Sequence, residues 1–151
     1  MDISSQKRSN VEHTTQTTST AQIVATLGPA SSRYEILTEM TAHQMDVVRF
    51  NFSYGVPEDH RDQIALVRRV AKEAGRHIPI IVDLPGPRIQ KEKLHGYDAK
   101  STCAITVHDR ECIAFAVAQR VDYIAVSFVG DAKDVDLCRE VVTEHHGSQK
   151  I

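Results

Sequence analysis

The sequence predicts an α/β protein built from about four parallel βα units. From Gln22 onward, short β-branched runs alternate with segments of helical periodicity, and each run delivers a polar residue at its C-terminal end. That alternation gives a parallel sheet with right-handed crossovers. Periodicity alone leaves two architectures open, a doubly wound open sheet or part of a closed barrel.

Gln22–Leu27 is the first expected strand, ended by Gly28-Pro29. Ser32 followed by Glu35 has the spacing of a capping box, which opens a helix to about His43. Asp46–Phe52 is the second strand. Pro57 suits the first turn of the next helix, with Val67, Val70, Ala71 and Ala74 as its apolar stripe and Gly75 as its stop. Ile78–Leu84 is the third strand, halted by Pro85-Gly86-Pro87, and residues 88–107 form a connection of weak periodicity. A helix is expected from Asp109 to about Arg120 with Ile113 and Ala116 inside, then a strand over Asp122–Phe128. The last helix runs from Asp131 to about His145 with Val135, Cys138 and Val142 on one face. Residues 1–20, crowded with Ser and Thr, are expected to be a disordered tail. Asp2, Glu12 and the scarcity of arginine argue against a transit peptide. The expected organisation is therefore a tail over 1–20 and a single domain over 21–151.

A chain of 151 residues with formal net charge −2 suits one globular domain at most. The balanced charge argues against nucleic acid or an anionic membrane as main partner. No apolar run approaches the roughly 20 residues that cross a bilayer. The N-terminus lacks an apolar signal core, so a cytoplasmic location is expected. Cys103, Cys112 and Cys138 form no C-x-x-C pair and read as reduced, packed thiols. The eight histidines are scattered.

Side chains alternate faces along a strand. Arg49, Asn51 and Ser53 therefore share one face of the second strand, Asp83 lies with Ile81 on the third, Ser127 with Ala125 on the fourth, and Thr26 closes the first. Parallel α/β proteins place their sites at these C-terminal strand ends, in barrels and open sheets alike. Arg49 offers a planar fork of donors for phosphate or carboxylate, or else a structural ion pair with Asp83. Asn51, Ser53 and Asp83 offer hard oxygens suited to potassium, calcium or magnesium rather than zinc, or else a hydrogen-bonded cluster without an ion. Gly28-Pro29-Ala30-Ser31-Ser32 leads into a helix and reads as a plain helix start rather than a phosphate loop.

Four segments resemble pyruvate kinases, in that family's order. They are Ile23-Val-Ala-Thr-Leu-Gly-Pro-Ala-Ser31, Met45-Asp-Val-Val-Arg-Phe-Asn-Phe-Ser53, Val82-Asp-Leu-Pro-Gly-Pro-Arg-Ile89 and Asp122-Tyr-Ile-Ala-Val-Ser-Phe-Val129. The resemblance implies a partial TIM-type (β/α)8 barrel and glycolytic transfer of a phosphoryl group from phosphoenolpyruvate to ADP, forming ATP. It further implies that Arg49 and Ser127 contact the substrate, with Arg49 on the transferring phosphoryl group. Asn51, Tyr54 and Gln90 would face the nucleotide. Asn51, Ser53, Asp83 and the Leu84 carbonyl would hold a monovalent cation such as K+, alongside the family's Mg2+. Such a site works by positioning and charge neutralisation.

The chain departs from that family pattern at several places. Tyr54 stands where the family usually has histidine, and Gln90 where it usually has an arginine. Arg88 occupies a position that is acidic in potassium-dependent members, where a guanidinium can take the place of the cation. About 20 residues fill the gap in which the family inserts a lid domain. The catalytic lysine and the acidic Mg2+ ligands belong to motifs expected beyond Ile151, and Lys150-Ile151 resembles the first step of the strand that carries them.

A complete barrel takes about 250 residues. A half barrel that exposes about six inward side chains forgoes about 9–18 kcal/mol of burial, comparable with the stability of a whole domain. The sequence therefore leads to two expectations. In one, the chain is a fragment or half of a pyruvate kinase, inactive alone and completed as a homo-oligomer or by a complementary half. In the other, it is a non-catalytic remnant or anion-binding half-barrel that associates through its open sheet edges.

Overall fold

The computed structural model describes residues 21–91, 94–97 and 104–151. The expected tail over 1–20 lies outside the described residues. The elements are β1 (Val24–Thr26), α1 (Tyr34–Ala42), β2 (Val47–Asn51), α2 (Pro57–Glu73) and β3 (Ile80–Asp83), then β4 (Arg88–Lys91), β5 (Leu94–Tyr97), α3 (Val107–Ala118), β6 (Tyr123–Ala125) and α4 (Ala132–Glu144). β1, β2, β3 and β6 form one parallel sheet in that order. Four parallel strands alternating with helices make this an α/β fold, the arrangement of part of a (β/α)8 barrel.

One sheet face is dry and the other is open. Val48, Phe50 and Val82 are essentially inaccessible and pack with Leu37 of α1, Ile64 and Val67 of α2, Ile113 of α3 and Val141 of α4. Val24, on the opposite face, is 50% exposed, and Arg49, Ile81, Tyr123 and Ala125 are only partly covered. The helices thus shield the side that carries the unbroken apolar pattern. The polar strand ends are left on the open side.

Beyond β6 the backbone begins another parallel step. Ile124 donates its N–H to Lys150 O at 2.8 Å, and Lys150 donates to Asp122 O at 3.1 Å. The Lys150-Ile151 pair therefore lies where a fifth strand would add to the sheet.

Several local expectations are corrected. Arg33, not Ser32, is the N-cap of α1; the Ser32 hydroxyl donates back to Pro29 O at 3.2 Å, closing a 3-10 turn over Pro29–Ser31. The Ser-x-x-Glu spacing is satisfied in sequence, but Pro29 starts a tighter turn that claims the serine first. α3 begins two residues before Asp109, which is the third residue of a capping box with Thr106. Ala74 is exposed, and Ile64 takes its place in the buried stripe of α2. On α4 the partners of Cys138 are Val141 and Val142, with Val135 only half-buried. Within the connection 88–107, β4 and β5 pair as an antiparallel hairpin apart from the main sheet.

Candidate active site

The register of β2 on β3 places Arg49 beside Ile81 and Asn51 beside Asp83. Arg49 therefore has to extend along its neighbour to reach Asp83, and its long side chain does so. One terminal nitrogen donates to Asp83 Oδ2, and the other donates to Thr26 Oγ1 at 2.8 Å. Ser127, two residues past the end of β6, donates its hydroxyl to Asp83 Oδ1 at 3.3 Å. Thr26, Arg49, Asp83 and Ser127 thus form one hydrogen-bonded chain across all four strands of the main sheet. The Arg49 side chain keeps 33% of its surface exposed and Asp83 only 11%. The guanidinium therefore faces the open side while the carboxylate behind it is sheltered.

Asn51 and Ser53 meet locally. Asn51 Oδ1 accepts the Ser53 backbone N–H at 3.0 Å, a turn stabilised by its own side chain. Ser53 Oγ is buried with no hydrogen-bond partner among the described residues. A buried hydroxyl without a partner costs free energy, and an oxygen left open in this way is one a cation can use. Phe52 donates its N–H to the Asp83 carbonyl at 3.0 Å, and Leu84 donates to Ala125 O at 2.9 Å, so backbone bonds lock the strand ends in place. The side chains of Asn51, Ser53 and Asp83 and the Leu84 carbonyl offer oxygen atoms alone, the chemistry of a hard cation rather than of zinc, although both Asp83 carboxylate oxygens already accept hydrogen bonds. Among the described residues, no group of three or more His, Cys, Asp or Glu gathers as a divalent or transition-metal site.

The Pro85-Gly86-Pro87 turn leads out of the site. Its Gly86 sits at φ +67°, and a Cβ there would meet the Phe128 ring at 2.8 Å and Ser127 Cβ at 3.1 Å. Phe128 itself is at φ +60°, a conformation costly for an aromatic residue. Arg88 donates Nε to Pro85 O at 2.7 Å and lays its guanidinium over the Phe128 ring, 5.6 Å from the centroid. Among the described residues it makes no ion pair, so it is directed to the turn and the ring rather than to the Asp83 carboxylate. Tyr54 is 59% exposed just beyond Ser53. Gln90 lies on β4 opposite His95; its side chain is outside the described part of the structure.

Sequence reasoning missed two residues. Asp109 is completely buried and accepts the Gly86 N–H at 2.9 Å, the Thr106 N–H at 2.8 Å and the Thr106 hydroxyl at 2.6 Å. It ties the start of α3 to the turn after β3. The signal was present as Thr106-x-x-Asp109, a capping-box spacing. His60, on the first turn of α2, stacks on Phe52 and binds the Tyr54 carbonyl. No sequence signal marks that role, because the stacking is tertiary.

The barrel-domain model of pyruvate kinase matches residues 18–103, more than half of the chain. The chain belongs to the pyruvate kinase family. It is 48% identical over 69 residues to pyruvate kinase II of Salmonella typhimurium, covering 46% of this chain and 14% of that protein. It is 41% identical over 75 residues to a pyruvate kinase of Thermococcus litoralis and 44% over 75 residues to one of Agrobacterium vitis; each covers 50% of this chain and 16% of the relative. The chain thus matches about a sixth of the length of these curated pyruvate kinases. The family match includes β1, β2, β3 and the turn carrying Arg88. It stops before β6, where the likeness of Asp122–Val129 to the family rests on those residues and on the parallel pairing of β6 with β3. No helix among the described residues is long and apolar enough to cross a membrane.

Proposed function

We propose that this chain is a pyruvate kinase half-barrel whose strand ends form the anion-binding side of a phosphoryl-transfer site. The observation that carries this is the chain of bonds from Thr26 through Arg49 and Asp83 to Ser127, which presents a half-exposed guanidinium at the mouth of the sheet. In this reading Arg49 holds the phosphoryl group of phosphoenolpyruvate and Ser127 supports the substrate. Asn51, Tyr54 and Gln90 line the ADP/ATP side. Asn51, Ser53, Asp83 and the Leu84 carbonyl would hold K+, which would offset negative charge gathered at the strand ends. The unpartnered Ser53 Oγ supports that assignment. Arg88 is occupied with Pro85 and Phe128, so the guanidinium at Asp83 is that of Arg49 and Arg88 does not fill the proposed cation position. No step is assigned to Mg2+, because the described residues gather no acidic group suited to hold it.

The isolated chain is expected to show no turnover. The Arg49 charge is already offset by Asp83, and phosphoryl transfer needs several cations to neutralise developing charge. A second copy would cover the open sheet edges, whereas a complementary half supplying a lysine and acidic ligands would also restore the chemistry, in the cytoplasm. The alternative is a non-catalytic half-barrel that binds anions and associates through its open edge, which the exposure of Ile23 just before β1 and of Val24 at its start favours.

A coupled assay with phosphoenolpyruvate, ADP, Mg2+ and K+ tests the proposal. No turnover above background is expected for the chain alone. Turnover that disappears in Arg49→Ala would overturn its inactivity. Co-purification of a chain carrying the lysine and acids would favour the enzyme half over the remnant.

A further inference from the structure

The turn after β2 is held from behind by one imidazole. His60 lies flat on Phe52, with ring centroids 4.1 Å apart and planes 13° from parallel, and meets Phe50 edge-on at 6.0 Å. Its Nε2 is 2.9 Å from the Tyr54 carbonyl, which can only accept, so Nε2 carries the proton. Nδ1 is then a bare acceptor, buried and without a partner among the described residues. Gly55, between the turn and the ring, is at φ +84°, and a Cβ there would come within 3.1 Å of His60 Nε2. The ring, the glycine and the Tyr54 carbonyl therefore fit one another in a single arrangement.

We propose that neutral His60 is the positioning residue that holds the Ser53–Val56 turn on the nucleotide side of the site, and that protonation of His60 releases this turn. The inference rests on the proposed nucleotide-side role of Tyr54 only for its consequence; the holding contact itself does not depend on that role.

The surroundings determine the direction of the switch. A proton on Nδ1 would put an unpaired N–H and a charge between aromatic rings. Burial accordingly pushes the His60 pKa below its ordinary 6.5, against the smaller upward pulls of the Tyr54 carbonyl and Asp59 beside it on α2. Among the described residues, the rings of Phe50 on β2 and of Phe52 just after it face His60. From α3 come Phe115 and, around a cleft of about 90 Å3, His108, Glu111 and Cys112. Glu111 pairs with His108 at 3.2 Å and burial keeps the Cys112 thiol neutral, and neither is among the groups that pull the His60 pKa upward. A histidine with a lowered folded pKa stabilises the native arrangement fully above 6.5. That stabilisation is lost as pH falls through the lower folded value.

The test follows the imidazole and the turn together by NMR, using the whole chain and no ligand. In the wild type, His60 is expected to titrate below 6.5, with the Gly55 and Val56 amides shifting at the same midpoint. His60→Gln, which keeps an N–H donor but cannot titrate, is expected to leave the turn ordered and independent of pH. His60→Phe keeps the stacking and loses the donor, and amide exchange at Ser53, whose N–H is held by Asn51 Oδ1 inside the turn, should quicken by about tenfold, the loss of one hydrogen bond. A merely structural role would lower the stability of both variants without abolishing the pH dependence of the turn. Titration of wild-type His60 at or above 6.5, or a turn that is indifferent to it, would overturn the proposal and requires no variant to fold. ADP added in a separate arm distinguishes the two readings. Amides of the turn that ignore ADP but follow His60 would sink the nucleotide-side role and leave the inference standing.

Discussion

Arg49 reaches two residues ahead of its register partner to bind Asp83, so a side chain on β2 is fixed by a carboxylate on β3 rather than by its own strand. That reach makes the end of the sheet a single unit. Asp83 takes Arg49 on one oxygen and Ser127 on the other, and Arg49 takes Thr26 with its second nitrogen. Removing any one of the four leaves its neighbours short of a partner. An inward arginine can serve as an ion pair or as an anion site, and here the pair aims the guanidinium at the open face.

Asp109 is expected to matter more for stability than its place on a helix start suggests. Asp109→Ala strands the Gly86 and Thr106 N–H groups, each at a cost of about 1–3 kcal/mol when buried and unpaired. Thr106→Ala removes the cap and the hydroxyl's bond to Asp109 but leaves the Gly86 and Thr106 N–H groups paired, and should cost about 1–2 kcal/mol. Urea denaturation of both variants checks the order.

Gly86→Ala is expected to destabilise by about 1–3 kcal/mol, since it combines a left-handed backbone with a Cβ 2.8 Å from the Phe128 ring. Gly28 is extended at φ −151° and a Cβ there meets nothing within 4 Å. Gly28→Ala should therefore be close to neutral in the same denaturation experiment, and it serves as the control.

These two sites show where the sequence was readable. The strands were legible because β-branched runs and their polar ends carry the pattern within each segment. The shared face of Arg49, Asn51 and Ser53, and the placement of Asp83 and Ser127 at strand ends, followed from alternation, whereas the roles expected of them came from the resemblance to pyruvate kinases. The start of α1 was not legible, because Ser32 belongs to a turn begun by Pro29 and two local motifs competed for one hydroxyl. Asp109 was visible as a polar residue but taken for a helix start, since its importance lies in the distant Gly86 N–H. His60 depends on Phe52 stacking and on the conformation of Gly55, neither of which any spacing reveals. The fourth strand read long because Val126 to Phe128 continues the apolar pattern after the ladder has ended, and Phe128 turns to positive φ.

The two buried thiols should be inert. Burial, aided by the nearby Asp109 carboxylate, pushes Cys112 up to about 12 and Cys138 up to about 11, against an ordinary 9.0. In a Cys103→Ser background, native protein at pH 8 is expected to resist a thiol reagent that labels both residues at once in urea. Below 9.0 the thiols are neutral in both the folded and the unfolded state and their contribution to stability is constant. Above it the unfolded thiols ionise first, so stability should fall as pH rises from 9.0 through 11 to 12.

The most direct measurement is an NMR titration of the whole chain with phosphoenolpyruvate, repeated on Arg49→Ala. If the strand ends form the anion site, amide shifts should concentrate at Thr26, Arg49, Asn51 and Ser127, and Arg49→Ala should weaken binding by about tenfold or more, the loss of a charge-assisted hydrogen bond. Shifts scattered elsewhere, or equal affinity in Arg49→Ala, would contradict the assignment of Arg49 and leave the Arg49–Asp83 pair as structure alone.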